Sequence, residues 1–375
     1  MKRIVITGAK GLIGWHAHAR LHAENCAAKF NGEPIPFEIV ALNHEMFDDD
    51  SILKTALKKA EAVLHFAGVN RANSDDEVEA ANPAIAMRLA EMCETVENKP
   101  HIVYANSTHA SNDTPYGRSK RLAGDVLEKV SKNYTNLILP HIFGEYARPR
   151  YNNVTGTFVE AVIEGQRPDI NPVGQVSLLY AGDAVQHAIN AVTEGLTGIL
   201  TPAARDIKVV DLFEKIQKFH VDYQNNVYPD LRDPFDVKLF NSYRVALYPG
   251  SFPIPLELHT DARGTLFEAI KGGGGGQTFL STTAPGVTRG DHFHLEKVER
   301  FLVVQGDAII RVRKVLSDET WEYRVSGEKP EPVDMPTLHT HSIENIGDKE
   351  LLTLFWTHDL FDPKNPDTFA DKVLR

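Results

Sequence analysis

The stretch Gly286-Val-Thr-Arg-Gly-Asp-His292-Phe-His294-Leu-Glu-Lys-Val-Glu299, closed by Gly306, decides the fold of the C-terminal part of this 375-residue chain. Two histidines at i, i+2 on a strand point to one face of a sheet. Glu299 returns to that face, and His341 lies in another strand-like segment further on. Three nitrogens and one oxygen converging inside a small barrel make a metal site with room for an exogenous ligand. Residues 301–304, 308–312, 321–325 and 351–356 read as short strands separated by turns, an all-β barrel or sandwich. Five consecutive glycines, 272–276, read as a flexible loop between two strands.

Working outward, residues 1 to about 245 show another pattern. Short apolar runs at 3–7, 37–42, 62–66, 102–105 and 137–140 read as buried parallel strands. Stretches such as 77–96 and 116–132 carry apolar residues at helical spacing. That alternation implies a doubly wound α/β sheet. Tyr248-Pro-Gly-Ser-Phe-Pro-Ile-Pro255 cannot sustain a helix and reads as a linker. The expectation is therefore an α/β domain over 1–247, a linker over 248–255 and a β domain over 256–375.

Thr7-Gly8-Ala9-Lys10-Gly11-Leu12-Ile13-Gly14 follows the first strand and opens a helix. Glycines there let the backbone turn tightly and approach a pyrophosphate on the positive helix N-terminus. A bare glycine turn is the bland explanation, but the position after strand one favours nucleotide binding. Tyr116 and Lys120, at i, i+4, share a helical face. An ammonium beside a phenol favours the phenolate and makes the phenol a better proton donor near neutral pH. An amphipathic helix with a solvated lysine is the commoner origin of such a pair. Ser107 ends the fourth strand, where a hydroxyl can hold a carbonyl oxygen while hydride reaches its carbon. Strand two ends Ala41-Leu42-Asn43-His44, without the acid that NAD enzymes place on the ribose 2′-hydroxyl, which favours NADPH. Lys10 is within reach of a 2′-phosphate.

The formal net charge of −11 and the lack of a basic block argue against nucleic acid or a membrane surface as partner. No apolar run approaches a bilayer span. The N-terminus enters a strand at once, without a signal-peptide core, and two cysteines, Cys26 and Cys93, fit a reducing cytoplasm. The chain reads as cytoplasmic.

Glycine loop, serine and Tyr-x-x-x-Lys in this order resemble the extended short-chain dehydrogenase/reductase family, a Rossmann-like fold, over roughly residues 1–245. His65-Phe66-Ala67-Gly68, Asn82 and Tyr180-Ala-Gly-Asp183 resemble it too. The resemblance implies Tyr116 as general acid, Lys120 on the nicotinamide ribose and Ser107 (with Thr108 as fallback) on the carbonyl. It implies cofactor contacts from Gly8 to Gly14, from Asn43 and His44, and from Phe66 to Gly68. The second pattern, Gly-x5-His-x-His-x4-Glu-x6-Gly, is similar to the first cupin motif, which implies a jelly-roll barrel. Pro336-Thr-Leu338-His-Thr-His341 resembles the second motif, with Leu338 where glycine is usual. Buried, merely hydrogen-bonded histidines are the competing explanation.

Asp261-Ala-Arg263-Gly264 and Arg289-Gly290-Asp-His292 look like the nucleotide-sugar 3,5-epimerase branch of cupins. There, arginines at positions 263 and 289 bind the nucleotide-sugar and a histidine at position 292 is the base. A His292 that ligates metal is not also a free base. Ordinary surface salt bridging, worth little in stability, is the competing explanation for the two arginines. In this domain order the whole chain resembles the CapF-like capsular polysaccharide biosynthesis family, with Asn70-Arg71 after Ala67-Gly68 among the local matches. The resemblance implies a homodimer that uses NADPH and zinc. Its expected product is UDP-N-acetyl-6-deoxy-L-talosamine, precursor of UDP-N-acetyl-L-fucosamine for capsule or O-antigen, made from a UDP-4-keto sugar. The cupin inverts C3 while the ketone keeps that proton acidic, and the reductase then removes the ketone. Competing readings are a plain nucleotide-sugar 4-keto reductase whose cupin only binds sugar or dimerises, an inactive sensor, and a metal oxygenase.

Overall fold

Alternation along five buried strands sorts side chains to two faces. Ile4, Ile6, Leu64, Val103 and Leu137 point one way, onto Ala17, Leu21, Ala184 and Ile189. Val5, Val63, Ile102 and Tyr104 point the other way, onto Leu53, Leu57, Leu89, Ala123 and Leu127. Strands apolar on both faces need helices on both sides, so the sheet is parallel and its central strands are covered on both faces. In the computed structural model, which describes residues 1–375, this sheet has six parallel strands. Their order is Phe37–Leu42, Lys2–Thr7, Ala62–His65, His101–Ser107, Tyr134–Leu139, Gly198–Leu200. The chain runs from the first strand to one neighbour and then returns to the other side. The topological switch point therefore lies between Lys2–Thr7 and Ala62–His65, where ligands of such sheets bind. A smaller three-stranded sheet, His141–Phe143, Gln175–Tyr180 and Arg205–Lys208, belongs to the same unit.

The second unit is mostly antiparallel. A four-stranded sheet (Gln277–Thr283, Leu351–Thr357, Glu299–Gln305, Val333–Met335) and a five-stranded one (Thr320–Ser326, Asp307–Lys314, His339–Asn345, Thr288–Phe293, Phe369–Ala370) hold one core. Phe301, Val303, Ile310, Val312, Ile343 and Phe355 fill it. Leu338 adopts φ 60°, left-handed backbone that disfavours a β-carbon, while its side chain is buried. The glycine usual there in the motif avoids that strain; here the buried leucine offsets it.

The compact units do not follow the composition break near residue 248. The first comprises residues 1–154 and 171–209, the second 155–170 and 210–375. The reason is side-chain packing that composition does not reveal. From the helix Val209–Gln224, the Tyr223 hydroxyl donates to buried Asp334 at 2.5 Å. From the helix Pro234–Ala246, Asn241 donates to the Glu296 carbonyl at 2.6 Å. The segment 248–255, expected as a linker, packs against the β unit. Tyr248 and Phe252 pack against the β core, and the Ile254 amide donates to the Pro332 carbonyl. No helix is long and apolar enough to cross a membrane. Cys26 and Cys93 are both free and buried.

Candidate functional sites

At the switch point the glycine loop is packed too tightly for side chains. Gly8 has φ 67°, and a β-carbon there would lie 2.7 Å from the Ala67 nitrogen. One on Gly14 would lie 2.2 Å from the Gly8 oxygen. Helix Leu12–Phe30 starts at Gly11 without a side-chain cap, so its first-turn N–H groups have no side-chain acceptor. Lys10 and Gly11 beside them are exposed. This donor arrangement suits a pyrophosphate. The end of strand two lies alongside, since the Ala9 amide donates to the Leu42 carbonyl at 3.2 Å. Asn43 spends its side chain capping the short helix His44–Asp48, and exposed His44 pairs with Asp48 at 3.0 Å.

Thr7 and Asn82, which carried no assigned role in the sequence, organise the loop that follows the third strand. The Thr7 hydroxyl accepts from the Ala67 amide at 3.2 Å and is hydrogen-bonded to His65 Nδ1 at 2.8 Å. Burial pushes His65 down to about 3, so it stays neutral. Asn82 holds both main-chain groups of Val69 at 2.9 Å and donates to Ser119 at 3.0 Å. Ser119 in turn donates to the Tyr116 carbonyl. Asn82 therefore fixes the loop relative to the helix that carries Tyr116 and Lys120. Further out, Arg71 Nε donates to the Asn152 side chain, and Asn152 donates to the Asn70 carbonyl at 3.3 Å.

Tyr116 and Lys120 lie in helix Pro115–Glu128, started by the Thr114 cap and a proline in its first turn. The electrostatics differ from the expectation that lysine lowers the phenol. Burial raises Tyr116, and only its hydrogen bond with Ser107 opposes the rise. Burial also pushes Lys120 down to about 7. Its Nζ donates to the Ala105 carbonyl at 2.6 Å and lies 4.2 Å from the centre of the Tyr104 ring. Desolvation outweighs pairing for both groups. Ser107 is buried at the strand end, whereas Thr108 is exposed and begins a 3-10 turn.

A depressed lysine makes a stability prediction. The folded Lys120 titrates near 7 and the unfolded one near 10.5, so the unfolded chain binds more protons between those values. The stability cost of Lys120 is full below pH 7 and fades as pH rises toward 10.5. Lys120→Met should unfold at higher denaturant than the parent at pH 6, with the gap closing toward pH 10. A gap that widens with pH would contradict the buried, partly neutral lysine.

In the second unit, His292, His294, Glu299 and His341 bring one ligand atom each within 4.8 Å of one another. His292 and His294 come from strand Thr288–Phe293 and the turn after it, Glu299 from the adjacent sheet, and His341 from the strand paired with His292. A bulge at Asp291, φ 56°, breaks the register just before His292. Gly290 makes that close pairing possible, because a β-carbon there would meet the His341 carbonyl at 2.7 Å. His294 Nε2 lies 3.1 Å from Glu299 Oε2. His341 Nε2 lies 3.2 Å from the same oxygen yet lacks hydrogen-bond geometry, a buried nitrogen left without a hydrogen-bond partner. The Nδ1 atoms of His294 and His341 donate to the carbonyls of Asp367 and His339, which turns both Nε2 atoms toward Glu299. Burial works against an ionised Glu299, but the two histidines outweigh it and hold the carboxyl well below its usual range. This donor set fits a divalent transition cation.

His292, His294 and Glu299 of the cluster line a cavity of about 460 Å³, together with Arg289, Gln277, Lys297, Phe279 and Phe361. Arg289 is steadied by donating to the Thr283 hydroxyl at 3.0 Å and the Thr282 carbonyl at 2.9 Å. Arg263 is not brought there. It sits on an exposed hairpin, Leu258–Asp261 with Gly264–Phe267, in a salt bridge with Asp261.

A family model described as the NAD dependent epimerase/dehydratase family matches residues 4–199, and one described as a polysaccharide biosynthesis C-terminal domain matches residues 259–369. With the parallel sheet and its glycine loop, these define an NAD(P)-dependent enzyme of the oxidoreductase/epimerase class. Over 381 residues, 99% of each protein, the chain is 29% identical to the UDP-2-acetamido-2,6-beta-L-arabino-hexul-4-ose reductase of Pseudomonas aeruginosa. It is 30% identical to the capsular polysaccharide assembling protein CapF from Staphylococcus aureus, whose crystal structure aligns with a TM-score of 0.61 over 99% of this chain and 100% of that one. The chain belongs to the CapF-like family of capsular polysaccharide enzymes. A dTDP-4-dehydrorhamnose reductase from Bacillus anthracis shares the fold at 16% identity, TM-score 0.50, over 59% of this chain and 82% of that one.

Proposed function

We propose that the protein acts twice on a UDP-4-keto-6-deoxy-N-acetylhexosamine. A C-terminal cupin would epimerise C3 and the N-terminal unit would reduce C4, giving UDP-N-acetyl-6-deoxy-L-talosamine. The observation that carries the reading is the presence of Ser107, Tyr116 and Lys120 in the first unit and, in the second, of a His/Glu cluster beside Arg289. Full-length similarity to a hexul-4-ose reductase supports the substrate class. NADP in the complex of the B. anthracis reductase is consistent with the same cofactor here. We read the cytoplasm as the site of action and a homodimer as the assembly.

In the reductase, a bound NADPH would be the source of hydride for C4. Ser107 holds the carbonyl oxygen, and Tyr116 gives it the phenolic proton as the C–O π bond becomes a hydroxyl. Burial keeps that phenol protonated at neutral pH. Lys120, beside Gly68, is read as the ribose contact. Gly8, Lys10, Gly11, Leu12, Ile13 and Gly14 would cradle the pyrophosphate, with Asn43 and His44 toward the 2′-phosphate, Phe66 and Ala67 toward the nicotinamide, and Asn70 and Arg71 toward the sugar.

In the cupin, a bound zinc would polarise the 4-keto oxygen as a Lewis acid. His294, Glu299 and His341 share close contacts, while His292 makes none to Glu299 and stays partly exposed. We therefore read those three as a minimal ligand set. His292 is the fourth donor at rest and the base that takes the C3 proton when substrate enters. Arg289 would hold the diphosphate, and Arg263 would contribute only if its hairpin meets bound substrate.

The test is the full-length Tyr116→Phe protein, without NADPH, given the UDP-4-keto sugar in D₂O. One C3 hydrogen should exchange for deuterium. His292→Ala in the same background should stop exchange while still carrying metal, and Arg289→Ala should weaken it. Sugar binding with no deuterium uptake would leave only the reductase.

A further inference from the structure

We propose that Asp367 is the positioning residue of the His/Glu cluster, through a C-terminal strap that it anchors. This rests on the metal reading above. The two carboxylate oxygens of Asp367 accept three successive backbone N–H groups just after His294: Leu295 at 2.9 Å, Glu296 at 2.9 Å and Lys297 at 2.8 Å. The carbonyl of the same residue accepts from His294 Nδ1. One residue thus fixes both the turn that leaves His294 and the tautomer of its ring. With Nδ1 held on that carbonyl, Nε2 faces Glu299 at 3.1 Å. Outer partners of this kind orient a ligand histidine and raise its basicity.

The backbone of Asp367 is at φ 42°, left-handed, where most side chains are strained and Asp and Asn are better tolerated. A conformation held against strain needs strong compensating contacts, and the three amides on one carboxylate supply them. The rest of the strap continues the same task. Lys297 Nζ donates to the Pro366 carbonyl at 2.6 Å. Phe369–Ala370 pairs with His292–Phe293, so the strap also covers the strand of the first histidine. The Asp371 amide donates to the Asp291 carbonyl at 2.9 Å, and the Val373 amide to the Asp291 side chain at 3.0 Å, pinning the bulge that aims His292. Buried Arg313 secures the far end through Asp371 Oδ2 at 2.7 Å and the Val373 carbonyl at 3.0 Å. Remote in sequence from the ligands, the strap is their outer support.

The test uses the full-length protein, stripped of metal and titrated with Co(II) against a competing chelator, with the visible spectrum of the bound ion as a second readout. Asp367→Ala and Asp367→Gly should each weaken Co(II) binding about 10- to 100-fold and shift its absorption bands. Gly retains the left-handed backbone, so its loss isolates the carboxylate. Asp367→Asn, which keeps an acceptor oxygen and tolerates that backbone, should recover part of the affinity. A purely structural role would lower the melting temperature of the metal-free variants while folded Gly and Asn variants bind Co(II) like the parent, with an unchanged spectrum; that result overturns the proposal. A parent protein that binds no Co(II) overturns the metal reading and this one with it.

Discussion

Tyr116→Phe is expected to slow NADPH-dependent reduction of the UDP-4-keto sugar by about 100- to 10,000-fold, the usual contribution of a positioned general acid. The parent should oxidise NADPH faster than NADH. The substitution removes one hydroxyl and leaves the ring in place, so the helix packing and the Ser119 contact to the Tyr116 carbonyl persist. NADPH affinity, measured by fluorescence quenching, should stay within about tenfold, because the phenol adds only one hydrogen bond to that complex. The proton is available because burial raises the phenol above its ordinary value, so it is protonated across neutral pH. The rate of the parent should therefore not fall through loss of this proton until alkaline pH. Near-normal turnover by Tyr116→Phe would remove the residue from the mechanism.

The second large effect is expected from His341→Ala. His341 is fully buried, and its Nε2 lies 3.2 Å from a Glu299 oxygen without hydrogen-bond geometry. The variant should lose bound metal, from about one ion per chain in the parent to a small fraction by elemental analysis. Stability should fall with it. Metal present at 100 times its Kd stabilises the folded state by about 2.7 kcal/mol, and the variant forgoes that term. A buried cavity and a half-paired Glu299 add to the loss. Chelator should lower the melting temperature of the parent toward that of the variant and leave the variant unmoved. Full metal content in purified His341→Ala protein would exclude this residue as a ligand.

Much of the site was legible because its chemistry is local. Glycines at 8, 11 and 14 lie within one turn of chain, and Tyr116 and Lys120 within one turn of helix, so spacing alone sets their geometry. The same holds for His292 and His294, one pleat repeat apart, and the strand alternation already announced a sheet covered on both faces. Other features depend on residues far apart in sequence. The Tyr116 and Lys120 protonation states follow from desolvation, which a sequence does not display, and here it reverses the effect that neighbouring charges alone suggest. Asn82, Thr7 and Asp367 act through backbone groups 13, 60 and 72 residues away, contacts with no periodic signature. The unit boundary moved for the same reason. Composition marks where helices give way to strands near residue 248, but Tyr223 on Asp334 and Asn241 on Glu296 assign the preceding helices to the β unit. The sequence by itself determined which local frames exist and which donors they carry. Tertiary structure alone decided burial, the pairing of distant groups and hence which of those donors share a site, because these depend on water excluded by segments that meet only on folding.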